Sequence, residues 1–203
     1  MEKILIIGEE EKAILLKNKL TESKFEIEIS DGDEEEDFKN YDVIFDLNFD
    51  DDSENFPIYA RLRNKLIFLS TVKQTLSESA YIYPEKVRSR VFGLNTIEHY
   101  LNSNFWELSS FRPNEWEYAE GFMKGIGQEV LKVADIVGMY RPRVDFLAIN
   151  EKVKLLHEKV VSMEDTFIQS ELFEVDEVGV TPIFETLIAI YEDTKEIKYL
   201  PNT

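Results

Sequence analysis

MEKILIIGEEEKAILLKN (residues 1–18) reads as a short buried strand, a glycine and a helix, the opening of a nucleotide-binding α/β unit. A dinucleotide turn at this point has the pattern G-x-G-x-x-G/A. Its second glycine lets the backbone approach a pyrophosphate, and the helix N-terminus supplies positive potential. Gly8 and Ala13 fit that pattern, and Glu10 takes the place of the middle glycine. With Glu9 and Glu11 it puts three carboxylates where phosphate charge would sit, so repulsion replaces attraction.

Working outward, the strand at 3–7 and the helix at 12–20, with Ala13, Leu16 and Leu20 at helical spacing, lead to an alternating strand at 25–29. Asp31 follows it, 23 positions after Gly8, where dinucleotide folds place a ribose-binding carboxylate; within Asp31-Gly32-Asp33 it is equally turn chemistry. The acidic run at 34–37 reads as a solvated linker. Buried strands are expected at 41–47, 65–69, 91–94, 105–109 and 129–133, with helices at 57–63 and 115–126. Strands alternating with helices predict a parallel α/β sheet. From 143 to 172 the period turns helical, with Val144, Leu147, Ala148, Val153 and Leu156 as the apolar face. Ser162 and Asp165 open a further helix in capping-box style. The expected organisation is a Rossmann-like domain at 1–136 and a smaller all-helical domain at 137–203.

Composition narrows the function. The 203 residues carry 41 acidic and 23 basic side chains, a net charge of −18, which disfavours nucleic acid and anionic membrane surfaces as partners. It also disfavours nucleotides or coenzyme A, except in a locally basic cleft. No cysteine is present, so disulfides, thiol nucleophiles and thiolate metal sites are excluded. No apolar run approaches the roughly 20 residues that span a bilayer, which predicts a cytoplasmic protein without a membrane partner. His99 and His157 are the only histidines, so no metal site is expected. His99, four positions from Asn95, is a conceivable displaced base, and His157 lies on a charged helical face. Asp50, Asp51 and Asp52 lack the spacing of a calcium loop and read as solvated loop.

Past residue 90 the chain resembles the 3-hydroxyacyl-CoA dehydrogenase family. VFGLNTIEHYLNSNFWEL (91–108) is similar to the segment in which that family has its catalytic histidine and, on the next strand, its paired glutamate. Asn95 falls on the histidine and Glu107, 12 positions later, on the glutamate. AEGFMKGIGQEVLKVADIVGMYRPRV (119–144) resembles the crossing into the family's helical domain. Gly138 and Arg143 match there, and Pro142 replaces an asparagine that helps hold substrate. INEKVKLLHEKVVSMED (149–165) is similar to that domain's first long helix and the start of the next. The family's hydroxyl-bearing segment after the fourth strand is represented by residues 69–73, with Ser70 as the candidate catalytic hydroxyl. The last helices are curtailed into 181–200.

The resemblance implies NAD as cofactor, an acyl-CoA-like small molecule as ligand and a homodimer formed through the helical segment. Set against the histidine that the resemblance implies at position 95, Asn95 points to lost activity, because an amide cannot accept a proton as a general base. The leading expectation is therefore a degenerate member without bound cofactor, retained as a binding or dimeric module. An active dehydrogenase with an atypical cofactor loop is the alternative. The first half alone also resembles a phosphoacceptor receiver, with Asp46 as acceptor.

Overall fold

The computed structural model describes residues 2–20, 24–32, 37–83, 86–162 and 178–202. Most of the acidic run at 34–37, and Asp165 of the expected capping box, lie outside them. In chain order the elements are β1 (Glu2–Ile7), α1 (Glu10–Lys19), β2 (Phe25–Ser30), β3 (Val43–Asp46) and α2 (Phe56–Arg61). Then come β4 (Leu66–Ser70), α3 (Leu76–Ile82), β5 (Arg90–Leu94), α4 (Glu98–Leu101), β6 (Phe105–Ser109), α5 (Trp116–Gly125) and β7 (Glu129–Val133). Two long helices close the described chain, α6 (Arg141–His157) and α7 (Val180–Thr194).

The strands form one sheet in the order β2-β1-β3-β4-β5-β6-β7. Alternate residues feed its two faces. Ile4, Ile6, Phe45, Phe68 and Phe92 pack on one side, and Leu5, Ile7, Ile44, Ile67 and Leu69 on the other. Helices cover both faces, so β3 and β4 are buried along their whole length and read as continuous apolar runs. The rings of Phe45 and Phe68 stack at 4.8 Å.

Two strands depart from the parallel expectation: β6 runs antiparallel to β5, with Gly93 opposite Ser109 and Leu94 opposite Leu108, and β7 shares its direction. Only residues 95–104 join β5 to β6, and α4 is a single short turn. A parallel crossover needs a dozen or more residues. Parallel pairing resumes between β6 and β7. At the reversed pair, Gly93 is required by close approach, since a Cβ there would lie 2.1 Å from Thr71 Oγ1 and 2.3 Å from Ser109 Oγ.

A third core joins the helical segment to the sheet, with Phe146, Ile183, Leu187 and Ile190 packing on Val72, Ile97 and Tyr100. The buried stripe of α6 differs from the expected one. Pro142, Phe146 and Asn150 face inward, while Val144 and Ala148 are exposed. Asn150 is buried because the tail supplies its partners: its Nδ2 donates to the carbonyls of Lys198 and Leu200, and its Oδ1 accepts from Asn202 N at 2.8 Å. Among the described residues no helix is long and apolar enough to cross a membrane.

Candidate functional site

Parallel strands deliver their C-terminal ends to one edge of the sheet, where open α/β sheets bind ligands. Gly8 lies at that edge and its N–H donates to Ser30 O, which sets Asp31 beside it. A Cβ on Gly8 would stand 2.9 Å from Leu47 Cβ, so this glycine is needed for the close packing of β1 against the end of β3. Ala13 is buried beneath the sheet, whereas Glu9, Glu10 and Glu11 are exposed around the start of α1. No side chain caps that helix. Its first-turn carboxylates themselves answer the helix dipole.

The reversal at β6 brings Asn95 opposite Glu107. Asn95 N donates to Glu107 O, and Asn95 Nδ2 donates to Glu107 Oε2 at 2.7 Å. The amide oxygen of Asn95 accepts from Ile97 N at 3.2 Å, so both ends of this buried side chain are engaged. Glu107 is 1% exposed, and burial pushes its carboxyl above the usual range against the pull of its donors. Its second oxygen accepts from Arg141 N at 2.7 Å. A strand carboxylate therefore holds the N-terminus of α6, the end that a carboxylate stabilises through the helix dipole.

Ser70 is part of the same edge. Its hydroxyl bonds Thr96 Oγ1 at 2.6 Å and donates to Asp50 Oδ2. Asp50 also accepts from Val72 N at 2.9 Å and Lys73 N at 2.8 Å. The expected solvated loop is thus corrected at Asp50, whose carboxylate fills a nest of donors after β4; burial raises its pKa. Lys73 Nζ pairs with Asp51 and reaches Glu185 on α7 at 3.2 Å. The donors are some twenty residues from Asp50 in sequence, so local pattern gave no sign of them. Arg141, whose guanidinium lies 4.3 Å from the centre of the Tyr100 ring, was missed for the same reason.

Asp46 is 2% exposed, with Tyr59 Oη donating to one oxygen at 2.8 Å and Asn48 N to the other. No oxygen of it is open to a phosphoryl group, which corrects the receiver alternative. His99 stacks edge-on against Tyr100 on α4. Among the described residues no group of three His, Asp or Glu side chains is arranged to hold a metal ion.

No family model and no curated protein matches the sequence. Solved structures do. The chain is similar to FadB2 of Mycobacterium tuberculosis, at 13% identity and a TM-score of 0.79, over all of this chain and 91% of that one. It is similar to (S)-3-hydroxybutyryl-CoA dehydrogenase PaaH1 from Ralstonia eutropha, at 15% identity and a TM-score of 0.71, over 99% of this chain and 90% of the other. A 3-hydroxyacyl-CoA dehydrogenase from Archaeoglobus fulgidus matches at 18% identity and a TM-score of 0.54, over 100% and 84%. The fold is the one these dehydrogenases have.

Proposed function

We propose that this chain is a 3-hydroxyacyl-CoA dehydrogenase-like protein that has lost NAD-dependent oxidation and persists as a binding and dimeric module. The observation that carries this is the state of Asn95. At the position the resemblance gives to the catalytic base, both polar ends of a buried amide are engaged by Glu107 and Ile97. An amide has no proton affinity at neutral pH, and loss of a general base alone is typically worth about 10² to 10⁴ in rate. The cofactor turn supports the same conclusion. Three exposed carboxylates surround the start of α1, where the charge of a pyrophosphate would have to sit, and they do not suit it.

The test is titration with NADH, read by the fluorescence of Trp106 and Trp116, together with an assay for NADH production from 3-hydroxybutyryl-CoA and NAD. Neither saturation below about 100 μM nor turnover is expected. Asn95→His alone is expected to remain inactive, because groups that act as a unit are not restored singly. Saturation at low micromolar NADH, about −8 kcal/mol, would overturn the proposal.

The dimeric role rests on apolar residues that α6 and α7 leave exposed. Val144, Val180 and Phe184 are exposed although apolar, with Val180 at 70%. Sedimentation is expected to give a dimer that Val144→Asp combined with Phe184→Glu converts to a monomer. A monomeric parent protein at about 100 μM would remove this role.

A further inference from the structure

The opposite edge of the sheet carries the reverse charge. RLRNK (61–65) leads into β4 and KVRSR (86–90) into β5, and these ten positions hold six of the chain's 23 basic residues and no acidic one. Elsewhere 17 basic residues face 41 acidic ones. Parallel pairing of β4 with β5, Leu66 against Arg90, lays the two segments side by side at the N-terminal edge. Main-chain bonds fix them there: Arg88 N donates to Ala60 O at 2.7 Å and Arg90 N to Lys65 O at 2.9 Å. Both segments alternate, with Leu62, Val87 and Ser89 buried while Arg61, Arg63, Lys86 and Arg88 point outward.

Arg63, Asn64, Lys86 and Arg88, all polar or charged residues, line an open cavity of about 430 Å³. Among the described residues, the side chains of Arg63, Lys86 and Arg88 form no ion pair, in a chain with carboxylates to spare. The C-terminus of α2 also ends at this edge, and cations favour it, but that effect is confined to the last turn, where Arg61 alone of these six basic residues sits. Asn64 also lines an adjoining cleft of about 770 Å³, walled in part by Phe25, Tyr118 and Phe122. There the Arg90 guanidinium lies 3.6 Å from the Tyr118 ring centre.

We propose that the N-terminal edge of the sheet is a binding site for a small ligand bearing clustered phosphate groups, held by Arg63, Lys86 and Arg88. Guanidinium forks suit the paired oxygens of phosphate, and two of the three cations are arginines. The acidic remainder of the surface repels an extended polyanion, which restricts the ligand to a compact one. The site is separate from the C-terminal edge by the length of β4 and β5, roughly 16 Å for five residues, so it does not depend on any dehydrogenase-like chemistry.

Calorimetric titration of the full chain with sodium tripolyphosphate, and separately with magnesium-free ATP, tests this at about 50 mM salt. Binding of at least one is expected, weakening as salt rises. The triple variant Arg63→Ala, Lys86→Ala, Arg88→Ala is expected to bind at least about thirtyfold less tightly. Lys12→Ala, Lys17→Ala, Lys154→Ala, an equal loss of charge elsewhere, is expected to stay within about twofold. Gly121 has open space where a Cβ would stand, facing the cleft, so Gly121→Phe obstructs it. Weakening of ATP but not tripolyphosphate by that variant identifies a nucleotide-type ligand; equal, undisturbed binding of both identifies the phosphates alone as what is recognised. No binding of either probe at 1 mM overturns the proposal, as does equal weakening by the two triple variants, or undiminished binding to the Arg63, Lys86, Arg88 variant.

Discussion

Glu107→Ala is expected to lower the unfolding free energy by about 3 kcal/mol, measured by urea denaturation. The side chain is buried and accepts from the Asn95 amide and from the main-chain N–H of Arg141. Alanine strands both donors in a site too closed to hydrate them, and an unsatisfied buried group costs about 1 to 3 kcal/mol. It also removes the negative charge at the start of a 17-residue helix. Glu107→Gln keeps one acceptor, turns an NH2 on the other donor and loses that charge, so an intermediate cost of about 2 kcal/mol is expected. If alanine and glutamine cost the same, or neither exceeds 0.5 kcal/mol, Glu107 does not anchor α6.

Asp46→Asn is expected to gain stability relative to the parent as pH rises. Burial, the largest influence, raises the Asp46 carboxyl from 3.8 to about 6, despite the hydrogen bonds from Tyr59 and Asn48. Between these values the folded protein keeps a proton that the unfolded chain has released, so stability falls with rising pH across the window. Below about pH 3 both states are protonated and nothing is lost; by about pH 7 the full penalty of about 3 kcal/mol applies. Asparagine has no such titration. The stability of Asp46→Asn minus that of the parent should therefore increase by about 3 kcal/mol from about pH 3 to about pH 7, read from urea curves at each pH. A constant difference would show that Asp46 ionises as an ordinary aspartate.

The strands were legible because continuous runs such as Val43 to Asp46 belong to sheets covered on both faces. The approach of Asn95 to Glu107 was also legible, from their separation across one connection and from the resemblance. The direction of β6 was not, since alternation is the same whichever way a strand runs; the length of its connection decided it. The buried face of α6 escaped because it includes Asn150, a polar residue whose partners lie 48 to 52 positions away. Asp50 escaped likewise, because three aspartates in a row look solvated until the donors after β4 are placed around one of them.

That nest has a further consequence. Asp50 is tethered to the donors it occupies, so an anion arriving after β4 competes with a carboxylate already present at an effective concentration of millimolar order or higher. The C-terminal edge is in this sense its own counter-ion, selecting for neutral groups. The open guanidinium groups of Arg63 and Arg88 lie at the far end, which gives the sheet an electrical polarity along its strands.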